Sequence, residues 1–182
     1  MPFTIEERLL GDIVVIRTPR YTDHRGWFME SFRADQFAAL DLPQDFPQDN
    51  HSRSTRGVIR GMHYQHDPPM GKLLRVISGS IQLVELDIRR SSPTYGQHVS
   101  IDVSEENGRI IYIPPGFANG FCVVSDEAHV VYKCTAYYNA AGEGSVNPLD
   151  PALGIAWHTD APVVSDRDRA APSLLELQSF FE

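Results

Sequence analysis

Residues 57–76, GVIRGMHYQHDPPMGKLLRV, concentrate side chains whose types and spacing could do chemistry. An arginine, two histidines, a tyrosine and a glutamine fall within seven residues, and Lys72 follows six residues after the second histidine. Histidine and lysine suit acid–base catalysis, and histidine is also a common metal ligand. The residue types alone are compatible with a metal site, a proton-transfer site or an ordinary polar surface.

The spacing of His63 and His66 argues against a metal site. Two histidines three residues apart do not share a strand face. Asp67 is adjacent but precedes a double proline that redirects the chain. A metal needs three or four ligands in suitable geometry. His63 is therefore either a structural histidine or an acid–base residue, and His66 is expected to be a bystander.

Strand alternation makes a sharper prediction about this segment. It places Ile59, Gly61, His63 and Gln65 on one face and Arg60, Met62 and Tyr64 on the other. Arg60 and His63 can serve one pocket only if the strand is irregular, and Gly61 is a natural place for a bulge.

Other candidate residues each have two interpretations. Tyr132 and Tyr138 share parity, so they are either core residues or proton donors inside a barrel. The run SDRDR offers Asp168 as the partner of a histidine, or else forms a solvated turn. The polar stretches 22–32 and 48–54 are ordinary loops or supply ligand contacts through Arg25, Glu30, Gln48 and Asn50.

Composition narrows the class of protein. The chain has 182 residues, of which 42% are hydrophobic and 22% charged, as expected for one globular domain over residues 1–182. A net charge of -8 argues against a nucleic-acid or anionic-membrane partner. Cys122 and Cys134 lie in apolar runs and are expected to be small buried hydrophobes. With no signal-like or membrane-spanning stretch, a cytoplasmic protein is expected.

The elements that must position these residues are mainly short strands. Nine runs rich in Val, Ile, Tyr and Phe are separated by Gly and Pro, which predicts an antiparallel sandwich or small barrel. Helices are expected only at Ala34 to Leu40 and in SLLELQSFF after Pro172. The long segment from Asn139 to Pro172 is expected to be ordered and to fold over the barrel mouth, anchored by Leu149, Ile155 and Trp157.

Nine motifs together resemble one enzyme family, in a match that runs in order from about Asp12 to Leu174. They are DHRGWFMESF, QDNHSRS, GVIRGMHYQ, GKLLRV, LDIRRSSPTYG, IPPGFANGF, YKCTAYY, DPALGIAW and SDRDRAAPSL. The chain resembles the dTDP-4-dehydrorhamnose 3,5-epimerases and related dTDP-sugar epimerases. The resemblance implies an all-β double-stranded β-helix (a cupin-like jelly roll) with a few short peripheral helices. It also implies a homodimer that needs no metal or organic cofactor and acts on dTDP-4-dehydro-6-deoxy-D-glucose.

The resemblance also implies roles for individual residues. His63 takes the place of the base that removes a proton from the sugar, and Asp168 takes the place of the partner of that base. Tyr132 takes the place of the proton donor on the opposite side. Lys72 is the best candidate to stabilise the enolate. The positions expected to contact substrate are Arg25, Glu30, Gln48, Asn50, Arg60, Asn119, Tyr138, Glu143 and Arg167. Arg25, Arg60 and Arg167 would supply cations for the diphosphate.

One position departs from the family pattern, because GFAHGF reads GFANGF here. Asn119 can donate a hydrogen bond but cannot carry charge or transfer a proton. Epimerisation at both C3 and C5 is the expected activity. The alternatives are a C3-only or C5-only epimerase, a non-catalytic sugar-nucleotide binding module and, more distantly, a metal-dependent cupin oxygenase.

Overall fold

The computed structural model describes residues 2–182, which form thirteen strands and two short α-helices. The strands are β1 (Thr4–Leu9), β2 (Ile13–Arg17), β3 (Arg20–Asp23), β4 (Gly26–Met29), β5 (Gln48–Thr55), β6 (Ile59–Gln65), β7 (Lys72–Ser78), β8 (Ser80–Asp87), β9 (His98–Ser104), β10 (Ile110–Ile113), β11 (Phe117–Val123), β12 (Glu127–Cys134) and β13 (Glu143–Ser145). The helices are α1 (Ala34–Ala38) and α2 (Asp166–Arg169), with 3-10 turns at Ala140–Gly142 and Pro151–Leu153.

The strands form two main antiparallel sheets and a separate hairpin. The six-stranded sheet has the order β1-β2-β10-β7-β12-β5, and the five-stranded sheet has the order β13-β6-β11-β8-β9. Among the strands of residues 2–182, β3 and β4 pair only with each other. The expected all-β, cupin-like jelly roll is thereby confirmed. No helix within residues 2–182 is long and apolar enough to cross a membrane.

The interior between the two sheets holds the main core. Strand alternation directs Ile81 and Leu83 of β8 inward, while Val84 and Leu86 face outward. Both sets are fully buried, because the C-terminal chain covers the outer face of the five-stranded sheet. On the other side, Phe37 of α1 packs with Val14 and Ile16 of β2. Because both faces of β8 and of β2 are covered, the sequences of these strands are nearly continuous apolar runs.

The interior changes from apolar to polar along the strands. In β7, Lys72 shares a strand face with the core residues Leu74 and Val76. In β12, Tyr132 shares a face with the core residue Val130. In β8, Leu83 is followed by Glu85. One end of the barrel is therefore a sealed hydrophobic core, and the other end is lined with groups that can do chemistry.

One of the two interpretations of residues 48–54, and the expectation of a C-terminal helix, were wrong. The polar stretch 48–54 is not a loop but most of β5, which pairs along its length with β12. Its polar residues alternate because its inward face lines the polar end of the barrel. The C-terminal SLLELQSFF is not helical. There Leu177 is buried against the outer face of β8, so tertiary packing of an irregular chain replaces the expected helix. The helix expected at Ala34 to Leu40 exists but ends at Ala38.

The segment 139–172 is ordered, as expected, but most of it lies elsewhere than over the barrel mouth. Ile155 packs on the outer face of the five-stranded sheet, as part of the cluster that contains Leu153, and Leu149 and Trp157 pack beside Ile59 of β6. The Trp157 indole donates a hydrogen bond to the carbonyl of Pro148 at 2.8 Å. These anchors hold the two ends of the segment that approach the barrel, β13 and α2.

Substituting Gly61 tests the closeness of β6 and β11. A β-carbon at Gly61 would lie 2.5 Å from the Cα of Gly120, whereas one at Gly26 meets nothing within 4 Å. The two glycines have similar φ angles, +119° and +125°, so Gly61→Ala and Gly26→Ala share the backbone cost of roughly 1–2 kcal/mol. We expect Gly61→Ala to lose about 1–3 kcal/mol more, by overpacking. Urea unfolding measures the difference, and equal losses would contradict the close approach.

Candidate functional site

A bulge in β6 resolves the alternation problem at Arg60 and His63. In the pairing of β6 with β11, Asn119 is opposite His63 and Phe121 is opposite Arg60. Two steps along β11 therefore correspond to three steps along β6. The extra residue in β6 restores the same parity to Arg60 and His63, so both face the barrel interior. The irregularity expected near Gly61 is confirmed.

The register of the five-stranded sheet places three polar residues in one row. Asn119 pairs with His63 on one side and with Glu85 of β8 on the other. Directly opposed residues of neighbouring strands have Cβ atoms roughly 4.5–5.5 Å apart. His63, Asn119 and Glu85 therefore form a continuous floor at the polar end of the barrel.

Asp168 reaches His63 from the C-terminal segment. The backbone of Val163 pairs with the start of β6, donating to the carbonyl of Gly57 and accepting from the N–H of Ile59, both at 2.9 Å. Ser165 then caps α2 by accepting from the N–H of Asp168 at 3.1 Å. The result is a 2.7 Å hydrogen bond between His63 Nε2 and a carboxylate oxygen of Asp168, whose side chain is only 6% exposed. The structure thus favours the histidine-partner interpretation of SDRDR over a solvated turn.

The facing sheet contributes Tyr132 and Lys72. The Lys72 ammonium lies 5.8 Å from the centroid of the Tyr132 ring and donates to Asn119 Oδ1 at 3.3 Å. Burial raises the pKa of the Tyr132 phenol, so it keeps its proton at neutral pH. A protonated phenol and the amine of Lys72 therefore face the His63 row from the opposite wall.

Glu143 of β13 organises the rim of the cleft. Its carboxylate accepts from the Tyr138 hydroxyl at 2.9 Å and forms an ion pair with Arg167 of α2. Burial opposes ionisation of Glu143, but the hydrogen bonds from Arg167 and Tyr138 outweigh it and hold the pKa of Glu143 below its usual range. Tyr138 lies beyond the end of β12 and is 55% exposed, so the parity it shares with Tyr132 does not arise from one strand.

Gln48 and Asn50 complete the cleft from β5. Gln48 donates to Asn50 Oδ1 at 3.2 Å and accepts from the N–H of Tyr138 at 2.8 Å. Asn50 pairs with Tyr132 across the β5–β12 ladder. The cleft is lined by Gln48, Asn50, His63, Tyr64, Gln65, Met70, Lys72, Tyr132, Tyr138 and Glu143 and encloses about 80 Å³.

Six expected site residues are not part of this lining. Asp168, Asn119 and Arg167 each contact a residue that is. The other three, Arg25, Glu30 and Arg60, are bonded elsewhere. Arg25 is at the turn of the β3–β4 hairpin and pairs with Asp23 at 2.6 Å, and Glu30 follows the hairpin and lies 3.6 Å from Arg33. Arg60 faces the interior but donates to Ser54 at 2.9 Å. A larger cavity of about 420 Å³ opens near the hairpin's end, on the outer face of the six-stranded sheet, where Arg75 and Lys133 contribute to its wall. It contains none of the proton-transfer set except Tyr132.

Sequence reasoning missed Glu85 and Gln65. Gln65 is 4% exposed, and its amide bonds the carbonyls of Pro68 and Tyr137 and the N–H of Asn139, so it fixes the loop that carries Tyr138. Glu85 was detectable as an acidic residue at the same parity as the core residues Ile81 and Leu83. His66 stacks on Phe180 with ring centroids 3.8 Å apart, outside the cleft.

The arrangement suits proton transfer next to a carbonyl. It offers a histidine oriented by a buried carboxylate, a protonated phenol on the opposite wall and an ammonium that could stabilise an oxyanion. Within residues 2–182, no group of three or more His, Cys, Asp or Glu side chains is arranged to hold a metal ion. The fold and site define a jelly-roll protein built for acid–base chemistry on a small ligand.

Comparison with known proteins identifies the family. The model of the dTDP-4-dehydrorhamnose 3,5-epimerase family matches residues 7–176. A dTDP-4-dehydrorhamnose 3,5-epimerase of Shigella flexneri is 45% identical over 161 residues, covering 87% of this chain and 89% of that protein. The chain belongs to the dTDP-4-dehydrorhamnose 3,5-epimerase family.

Two further relatives show the range of the family. The crystal structure of a dTDP-6-deoxy-D-glucose-3,5-epimerase from Legionella pneumophila, in complex with dTDP-4-keto-L-rhamnose, superposes with a TM-score of 0.92 at 42% identity. The match covers 96% of this chain and 94% of that chain. A dTDP-4-dehydrorhamnose 3-epimerase of Streptomyces niveus is 39% identical over 85% of this chain and 75% of that protein. The family thus includes a relative named for one carbon alone.

The contacts of Glu143 with Arg167 and Tyr138 predict how the pKa of Glu143 responds to substitution of each partner. Arg167→Gln removes the main group that opposes the effect of burial on Glu143, so the pKa of Glu143 should rise by about 1 unit or more. Tyr138→Phe removes only a neutral hydrogen bond and should raise it less. Titration of ¹³C-labelled glutamate side chains by NMR measures both. A larger rise in Tyr138→Phe would contradict the assigned order.

Proposed function

We propose that the protein is a dTDP-4-dehydrorhamnose 3,5-epimerase that converts dTDP-4-dehydro-6-deoxy-D-glucose to dTDP-4-dehydro-L-rhamnose. The observation that carries the proposal is the 2.7 Å pairing of His63 with buried Asp168, facing a wall that bears Tyr132 and Lys72. A protein that only binds a sugar nucleotide does not need a base paired with a carboxylate and a phenol on the opposite wall. Family membership supports the choice of substrate.

The proposed mechanism follows from the 4-keto group. This group acidifies the C–H bonds at C3 and C5, because the electrons left behind delocalise onto its oxygen as an enolate. His63 removes the proton, and Asp168 stabilises the imidazolium that forms. Lys72 donates to the enolate oxygen. Tyr132 then protonates the carbon from the other wall, which inverts the centre.

Deuterium incorporation tests this activity and the role of His63. In D₂O, the wild-type protein should introduce deuterium at C3 and C5 of the substrate, as read by NMR. His63→Ala should slow exchange by about 10²–10⁴-fold, the usual contribution of a positioned base. His66→Ala is the matched control, since His66 lies three residues away and outside the cleft. Unchanged exchange in His63→Ala would exclude His63 as the base.

A C3-only epimerase is the second candidate. Asn119, which replaces the family histidine within the row beside His63, and the Streptomyces niveus 3-epimerase both favour considering it. The same experiment separates the candidates. Deuterium at one carbon identifies a mono-epimerase, and bound dTDP without deuterium at either carbon identifies a sugar-nucleotide binding module.

We also propose that the protein works as a homodimer. Small-molecule sites usually enclose about 300–1,000 Å³, so a cleft of 80 Å³ holds only part of a nucleotide sugar. Arg25 belongs to a hairpin that pairs with neither main sheet and that exposes Tyr21, Trp27 and Phe28. A second chain could cover these aromatic residues and bring Arg25 to its partner's cleft.

A mixing experiment tests the homodimer. If Arg25 completes the partner's site, Arg25→Ala and His63→Ala chains should each be inactive, and refolding them together should restore about a quarter of wild-type activity, because half the dimers then hold one intact site. Light scattering should give twice the 20.4 kDa chain mass. A monomer, or no restored activity in mixed dimers, would reject the shared site.

Two further expectations stay proposals. Residues 1–182 are proposed to form one domain, since β13 and α2 near the C-terminus both contribute to the cleft. A cytoplasmic location is proposed because Cys122 and Cys134 are free thiols, as is usual in a reducing compartment. Cell fractionation tests the location.

A further inference from the structure

Glu85 is a fully buried carboxylate that the proposed reaction does not use. It lies on β8 at the polar end of the barrel, with no exposed surface. Its second oxygen, Oε2, has no hydrogen-bond partner among residues 2–182. A buried charged group is costly unless it is paired, so its presence at this depth needs an explanation.

The Asn119 amide links Glu85 to Lys72. Asn119 Nδ2 donates to Glu85 Oε1 at 2.6 Å, while Asn119 Oδ1 accepts from Lys72 Nζ at 3.3 Å. Both contacts are within hydrogen-bonding distance. One amide therefore has its oxygen directed at the ammonium and its NH₂ group directed at the carboxylate. Asparagine has no charge of its own, so this amide is the path by which an ionised Glu85 would act on Lys72.

Several titratable groups face Lys72: Glu85 from β8, Tyr132 and Cys134 from β12, Glu143 from β13 and His63 from β6. Burial raises the pKa of the Cys134 thiol and of the Tyr132 phenol, so both are neutral at neutral pH. Glu143 is paired with Arg167, and His63 with Asp168. Glu85 is the one facing carboxylate in the described chain without a cation of its own.

Burial and pairing act in opposite directions on this buried pair. Burial lowers the pKa of the Lys72 ammonium and raises the pKa of the Glu85 carboxyl. The attraction between the two charges opposes both changes. Each group therefore favours the ionised form of the other, and removing either charge should leave the other more easily neutralised.

We infer that Glu85 is a positioning residue for Lys72: its carboxylate, acting through the Asn119 amide, holds Lys72 in the ammonium form and fixes its direction toward the cleft. The positioning of Lys72 by Glu85 affects catalysis only if the proposed function is correct, because Lys72 is then the donor to the enolate oxygen. The coupling of Glu85 and Lys72 is itself a property of the unliganded protein, so it can be tested separately.

Lysine NMR provides that test. The chain has only two lysines, so ¹⁵Nζ labelling gives two side-chain signals, with Lys133 as an internal control that pairs with Asp49 at 3.0 Å. Glu85→Gln keeps an oxygen acceptor for Asn119 but removes the charge. We expect it to lower the pKa of Lys72 by at least about one unit, a tenfold change in the proton equilibrium, and to leave Lys133 unchanged.

Asp87→Asn is the matched control. Asp87 is also a fully buried acid of β8, but it pairs with Arg89 at 2.7 Å. The same carboxylate-to-amide change there should leave the Lys72 titration where it was. An unmoved Lys72 pKa in Glu85→Gln, or an equal shift in Asp87→Asn, would overturn the inference. If Glu85→Gln does not fold, ¹³C titration of the unmodified protein decides, because the inference requires Glu85 to be ionised at pH 7.

Kinetics add a readout that a purely structural role would not change. In Glu85→Gln, the alkaline limb of the kcat profile should move to lower pH with the Lys72 pKa, and activity should recover as the pH falls. A pH-independent loss would indicate a packing defect and reject the positioning role. If the wild-type protein fails to exchange deuterium, the proposed function falls, while the NMR result still decides the coupling.

Discussion

The close approach of β6 and β11 at Gly61 and Gly120 is the constraint on which the rest of the site depends. A β-carbon at Gly120 would collide with the sulfur of Met62, and one at Gly61 would lie 2.6 Å from the carbonyl oxygen of Asn119. The two glycines let the strands come this close at the bulge, and the bulge turns Arg60 to the same side as His63. The row that runs from His63 to Glu85 has its register set at this point.

Two side-chain pairings attach the short helix α2 to the five-stranded sheet. His63 with Asp168, and Glu143 with Arg167, each join a strand of the five-stranded sheet to α2. The short helix α2 is therefore fixed by the same interactions that equip the cleft.

Much of the fold followed from sequence pattern, and the parts that did not have physical reasons. Apolar runs bounded by Gly and Pro predict the buried strands, because burial on at least one face leaves a period-two or continuous signal. Strand β5 carries no such signal, since its inward face lines a polar cleft and its outward face is polar too. The C-terminal apolar residues suggested a helix, but Leu177 is buried by docking onto another element, which local pattern cannot reveal.

The residues of the site also divide into those that sequence could identify and those that it could not. His63, Lys72 and Tyr132 could be nominated from residue type and strand parity, and Asp168 only as one of two interpretations of a charged run. Its selection depends on the backbone pairing of Val163 with β6, a contact more than 100 residues apart in sequence. The parity of Glu85 signals burial, but one acid in an apolar strand has no partner that sequence alone can identify, so its role was missed.

The architecture bears on the stereochemistry of the proposed reaction. His63 lies on the five-stranded sheet and Tyr132 on the six-stranded sheet, so the two groups approach a ligand between the sheets from opposite walls. A planar enolate held there would lose its proton to one wall and regain one from the other, and inversion would follow from the fold. Because C3 and C5 flank the same carbonyl, a single ammonium at Lys72 could serve both carbons. Whether one or both are inverted then depends on how the ring is held beside His63, which is where Asn119 contributes to the floor.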